Sequence, residues 1–112
     1  MTGVSEDPAI AETLPHTFEL FQSYPNPFSA GNPSAAIRFH VPVGWTQPIS
    51  LRVFNMQGQL VTTLVEGIVS PGIHTAKWDG KDGFGNTVAS GVYLYQLTAG
   101  QLVVVRRMVF AK

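Results

Sequence analysis

Cysteine is absent from the chain. No disulfide staples the fold, no thiolate serves as nucleophile or metal ligand, and the redox compartment leaves no mark on the sequence. Charge is the second scarcity. Asp, Glu, Lys and Arg make up 12% of the residues, about half the usual share. The seven acidic and seven basic side chains cancel, so there is no basic surplus to grip nucleic acid and no attraction to an anionic membrane. No apolar run reaches the roughly eighteen residues of a membrane-spanning helix. The opening MTGVSEDPAIAETL lacks a basic region followed by an apolar stretch, so it does not read as a secretory signal peptide. That leaves export open if the chain is a fragment of a longer protein.

What the chain does have is hydrophobic surface, 45% of its 112 residues. That is enough for one domain burying on the order of two thirds of its unfolded surface. Residues 1–16 read as a linker, acidic through Glu6, Asp7 and Glu12 and interrupted by Pro8 and Pro15. At most one helical turn fits over residues 9–14. From residue 17 onward the pattern is β. Residues 18–22 suggest a short first strand. Ile37, Phe39 and Val41 alternate with Arg38 and His40, and Ile49, Leu51 and Val53 alternate with Ser50 and Arg52. Residues 60–65 and 73–78 continue the series. The closing stretch SGVYLYQLTAGQLVVVRRMVFAK holds two β-branched and aromatic runs around Ala99 and Gly100, a hairpin signature. Its second run is apolar on both faces except at Arg106 and Arg107, which predicts a strand covered on both sides over much of its length. The segment Tyr24-Pro25-Asn26-Pro27-Phe28 lacks two backbone donors and so belongs at an edge or corner, with Tyr24 and Phe28 as expected apolar anchors.

About seven short strands without an amphipathic helix indicate an all-β fold, an immunoglobulin-like antiparallel β-sandwich, with a small barrel as runner-up. Without the cysteine–tryptophan–cysteine core of antibody domains, Trp78, Phe39, Tyr93 and Tyr95 have to fill the centre.

Few residues invite chemistry. Asp79, Asp82 and Asn86 share one glycine-rich loop, which fits either tight-turn chemistry or a weak cation site. His16, His40 and His74 lie on different segments with no acidic ligand pattern, so no metal site is expected. Ser90 lacks the glycine spacing of a nucleophile elbow. Gly80, Gly83 and Gly85 precede no helix and make no phosphate loop. Trp45, between Pro42 and Pro48, either stacks on a sugar ring or caps the end of the sandwich. Arg106, Arg107 and Lys112 either guard an aggregation-prone strand or mark it for a partner. No cofactor and no catalytic set is expected.

Taken in order, YPNPF, ISLRVFNMQGQLVTTL, PGIHTAKWDGKDGFGNTVASGVYLYQL and RRMVFAK resemble the C-terminal sorting domain of the type IX secretion system, type A. Residues 49–97 also resemble the immunoglobulin-like domain of flagellar hook-capping proteins. The resemblance spans residues 18–112. It implies a sandwich at the end of a larger exported protein, recognised by an outer-membrane translocon. A cell-surface sortase then removes it in many members. The recognised residues would be Gly91, Tyr93, Arg106, Arg107, Met108, Val109 and Lys112, although such domains often carry lysine where this chain has Arg107. Tyr24, Pro25, Asn26, Pro27 and Phe28 would be the N-terminal motif, and residues 1–16 would face an upstream cargo domain. The expected location is secreted or cell-surface, reached through the periplasm. A carbohydrate-binding module or a structural spacer on a secreted glycosidase is the alternative.

Overall fold

The computed structural model describes residues 18–29 and 34–112. Linker residues 1–16 and His16 lie outside them. Eight strands follow one another: β1 (Glu19–Leu20), β2 (Phe28–Ser29), β3 (Ala35–Val41), β4 (Ile49–Phe54), β5 (Leu60–Gly67), β6 (Gly72–Trp78), β7 (Gly91–Ala99) and β8 (Leu102–Ala111). They form two sheets, of order β1-β3-β6 and β2-β8-β7-β4-β5. The all-β sandwich expected from the alternating pattern is what forms. The expected seven strands become eight because the segment after the paired prolines adds two residues to a sheet. That addition is also the exception to antiparallel pairing: β2 runs parallel to β8, Phe28 opposite Phe110 and Ser29 opposite Ala111. Proline cannot enter a ladder interior, and the Tyr24–Phe28 segment accordingly crosses from the smaller sheet, where Tyr24 bridges to Ala36, to the outer edge of the larger one, where Phe28 pairs with Phe110.

Alternation decides which side chains go inside. Ala35, Ile37, Phe39 and Val41 of β3 face Ile49, Leu51 and Val53 of β4 and Tyr93, Tyr95, Leu97 and Ala99 of β7 across the core. Trp78 closes one end at 1% exposure, with Phe28, Tyr93 and Phe110 around it at ring-centroid distances of 5.5, 5.1 and 6.0 Å. Its indole N–H donates to the Lys81 carbonyl at 2.8 Å, anchoring the loop that follows. Gly80 sits against the Phe110 ring so tightly that a Cβ there would approach within 2.8 Å, and its φ of +78° suits glycine alone. At the other end Trp45 meets Phe18 edge to face at 4.9 Å, beside the β7–β8 turn where Gly100 has φ +61°. Trp45 thus caps the end of the sandwich with its side chain half-buried.

Two expectations need correcting. Tyr24 is no apolar anchor: it is 79% exposed, while Phe28 is buried at 1%. The backbone of Tyr24 bridges to Ala36, and that bridge turns its ring outward. Nor is β8 covered on both sides. Met108 and Phe110 point into the core, but Val103 and Val105 on the opposite face are 52% and 48% exposed. Only one sheet packs against β8, so among the described residues its second apolar face meets no other layer.

Candidate recognition edge

β8 is joined to β7 along its whole length, from Ala99 opposite Leu102 to Gly91 opposite Phe110. Its other edge faces the chain segment before β3, and there the structure brings together residues some 80 positions apart in sequence. Asn26 Oδ1 accepts the Val109 N–H at 2.9 Å. Gln22 Nε2 donates to the Arg107 carbonyl at 2.9 Å. The Arg106 guanidinium donates through Nε to the Leu20 carbonyl. Beneath them the Tyr95 hydroxyl accepts the Ser23 N–H at 2.9 Å and donates to the Phe21 carbonyl at 2.8 Å. Segment 20–29 is therefore strapped along β8 by side-chain amides, one guanidinium and the two-residue β2, with the Tyr95 phenol of β7 holding it from beneath.

The residues expected to form a recognition signal divide by the parity of the strand. Met108 is fully buried and Tyr93 is 7% exposed, its hydroxyl donating to the Ala89 carbonyl at 2.6 Å. Both act as core residues in the folded domain. Arg107 and Val109, of the opposite parity, lie on the outward face, and Lys112 is exposed beyond the end of β8 with its N–H tied to Ser90 Oγ at 2.8 Å. Gly91 pairs opposite Phe110. Asn26 and Phe28 of the N-terminal motif reach β8 directly. Pro25 and Pro27 lie between these contacts in the chain, and Tyr24 turns away. Sequence reasoning missed Gln22, Ser23 and the double role of Tyr95. A polar Gln and Ser between an apolar run and the prolines was the available signal, but nothing local says which distant strand they serve.

Burial pushes the Tyr95 phenol above its ordinary 10.0, opposed by the Ser23 hydrogen bond and the nearby Arg106 charge, and burial also raises Tyr93. The folded state holds these protons more tightly than the unfolded chain. Their contribution is therefore complete below pH 10.0 and is lost as pH rises through the folded values. Tyr95→Phe leaves the Ser23 N–H without its acceptor in a buried position. We expect a loss of about 1–3 kcal/mol in chemical denaturation at pH 7, with a shallower fall in stability at alkaline pH than the parent. A loss indistinguishable from zero would mean that the phenol is no anchor.

Elsewhere the sites weighed from sequence do not converge. Asp82 accepts the Phe84 and Asn86 N–H groups at 2.9 and 3.0 Å, and the Asn86 contact leads in holding its carboxyl below the ordinary range. Asp79 accepts the Lys81 N–H at 3.2 Å. These carboxylates shape turns. Two histidines fall on neighbouring strands but opposite faces: His74 stacks on Phe39 at 5.5 Å, whereas His40 is registered with Ile73. Among the described residues no three His, Asp or Glu side chains gather as metal ligands would.

Comparison with known proteins bears on the fold. The family model described as the FlgD Ig-like domain matches residues 29–102. A similar solved structure is PorZ, described as an essential bacterial surface component of the type-IX secretion system of the human oral bacterium Porphyromonas gingivalis. The two share 21% identity at a TM-score of 0.55, over 81% of this chain and 11% of that one. The likeness is one of fold, and this chain spans a small fraction of PorZ. No curated protein matches the chain.

Proposed function

The chain belongs to the FlgD Ig-like domain family, and on that footing we propose that it is a non-enzymatic sorting and anchoring module of a type IX secretion system. It directs an attached exported protein through the outer-membrane translocon to the cell surface. The observation that carries this reading is the strapped edge of β8. One accessible strip holds Arg107 and Val109, with Lys112 exposed just beyond the strand end, Arg106 bridging to β1 and residues of the Tyr24–Phe28 motif folded against it. A partner can read such a strip by strand-edge hydrogen bonding and by charge, with no catalytic group. The secretion-system role of PorZ, a protein of like fold, supports the choice of system. The upstream cargo, the translocon and a surface sortase are the partners this reading requires. It places the module at the outer surface, reached through the periplasm.

The test is a fluorescent reporter fused upstream of the 112-residue chain in a host with this secretion route. The parent fusion should reach the surface or the medium. Arg106→Gln with Arg107→Gln should hold it in the periplasm while leaving the fold intact by circular dichroism. Undiminished export of the folded double variant would mean that the arginines are not the recognised charge, and retention of the parent fusion would favour the second reading, a structural spacer, which the family match to the flagellar FlgD domain also suits.

A further inference from the structure

The outer edge of β8 is occupied by imitation. Val109 N–H and Arg107 C=O both point away from β7, where Asn26 and Gln22 meet them. In an antiparallel pair a residue turns both backbone groups to the same side, and alternate residues agree. Val103 and Val105 therefore present their N–H and C=O groups outward as well. Among the described residues no strand pairs there, because β2 joins β8 only at residues 110–111. The contacts at 107 and 109 come from side-chain amides, each supplying the group that a neighbouring peptide unit would supply.

Resting on the sorting reading, we propose that the edge of β8 from Val103 to Val109 is a strand-addition site for an extended segment of the secretion partner, with Gln22 and Asn26 as placeholders that this segment displaces. Three features of the molecule specify the occupant. The free backbone groups require an extended chain. β2 already lies on the same edge in parallel orientation, so an added strand continues an existing row. Beside the open stretch, between β1 and β8, lies a groove of about 270 Å³ lined by Phe18, Glu19, Leu20, Phe21, Val104 and Arg106. An added strand sends every second side chain to that face, so the segment is apolar at alternate positions, one of which fills the groove. The placeholders give way easily because their hydrogen bonds are exposed and individually weak. Phe28, at 1% exposure, stays in place and holds the end of the row.

The experiment uses the same reporter fusion with three variants, each first shown to unfold cooperatively near the parent midpoint. Val105→Pro removes an outward N–H that takes no part in the β7–β8 ladder, a place where an edge strand tolerates proline. Val104→Phe fills the groove and leaves the backbone untouched, and it decides the matter if the proline variant does not fold. The proline variant should cut export by about tenfold, the scale of one or two lost backbone hydrogen bonds, and the phenylalanine variant, which bars the inward side chain of the added strand, should cut it by about as much. Gln22→Ala with Asn26→Ala should export at least as fast as the parent. Parent-like export of the folded Val105→Pro and Val104→Phe proteins overturns the proposal. So does retention of the folded Gln22/Asn26 double variant, because the placeholders would then be the recognised surface. Retention of the parent itself would instead strike the sorting reading. Strand addition is then judged on the free 112-residue protein, titrated with an acetylated, amidated peptide of alternating Thr and Val. Shifts of the Val103 and Val105 amide resonances support it, and shifts confined to β5, or none, overturn it.

Discussion

Trp78→Ala should lower the unfolding free energy by about 3–5 kcal/mol, the range for removing a large buried aromatic. The side chain is 1% exposed and touches rings from three separate places in the chain, Phe28, Tyr93 and Phe110. Trp78 stands on the smaller sheet and all three rings on the larger one, so the contacts join the two layers, and rings held on one continuous ladder cannot collapse freely into the space left behind. The variant also leaves the Lys81 carbonyl without the indole N–H, which loosens the loop carrying Asp82. Domains of this size have about 5–15 kcal/mol in total, and no disulfide backs up the core here. The melting temperature should therefore fall by well over about 10 °C. Guanidinium titration followed by tryptophan and far-ultraviolet signals measures it, Trp45 remaining as reporter. A midpoint change worth less than about 1 kcal/mol would show that the cluster is not the structural centre.

Phe28→Ala should cost a similar amount, about 3–5 kcal/mol, but with a different local signature. β2 has only two residues, too few to hold a ladder alone. What keeps it on β8 is the Phe28 ring, 4.8 Å from Phe110 and 5.5 Å from Trp78. Without it the parallel row comes away and the end of β8 becomes a bare edge. Hydrogen exchange at the Ala111 amide should then accelerate by more than global destabilisation accounts for, and the protein should associate at high concentration, as uncovered apolar edges do. Parent-like protection of Ala111 in the folded variant would mean that the strap stays on β8 without its aromatic anchor.

Legibility from sequence follows the range of the forces involved. Ile37-Arg38-Phe39-His40-Val41 and Ile49-Ser50-Leu51-Arg52-Val53 alternate, so strand and inward face both follow from period two alone, and both strands point inward as expected. Ala99-Gly100 between two β-branched runs is a local turn signal, and the hairpin pairs as it predicts. Trp78 reads as core because it continues the alternation of Ala76. β8 misled for the same reason. Its valines have strand propensity whether or not a second layer covers them, so Val103 and Val105 look the same in sequence as Met108 and Phe110 do from the inside.

The candidate edge was half visible. Arg106, Arg107 and the Tyr24–Phe28 motif stand out as residues that break the apolar pattern. Gln22 did not, and neither did the pairing of Asn26 with Val109, because a hydrogen bond across 83 positions leaves no periodic trace.

Taken alone, the sequence determined a succession of alternating strands, the faces most of them bury and the tight turn joining the last two. These depend on stereochemistry and side-chain spacing over a few residues. Only the tertiary structure decided that β2 lies parallel to β8, that amides stand in for a missing strand beside Arg107 and Val109, and that one apolar face of β8 stays open. Hydrophobic burial has no direction. It selects which residues go inside, while the choice of neighbours rests on how all the strands pack at once.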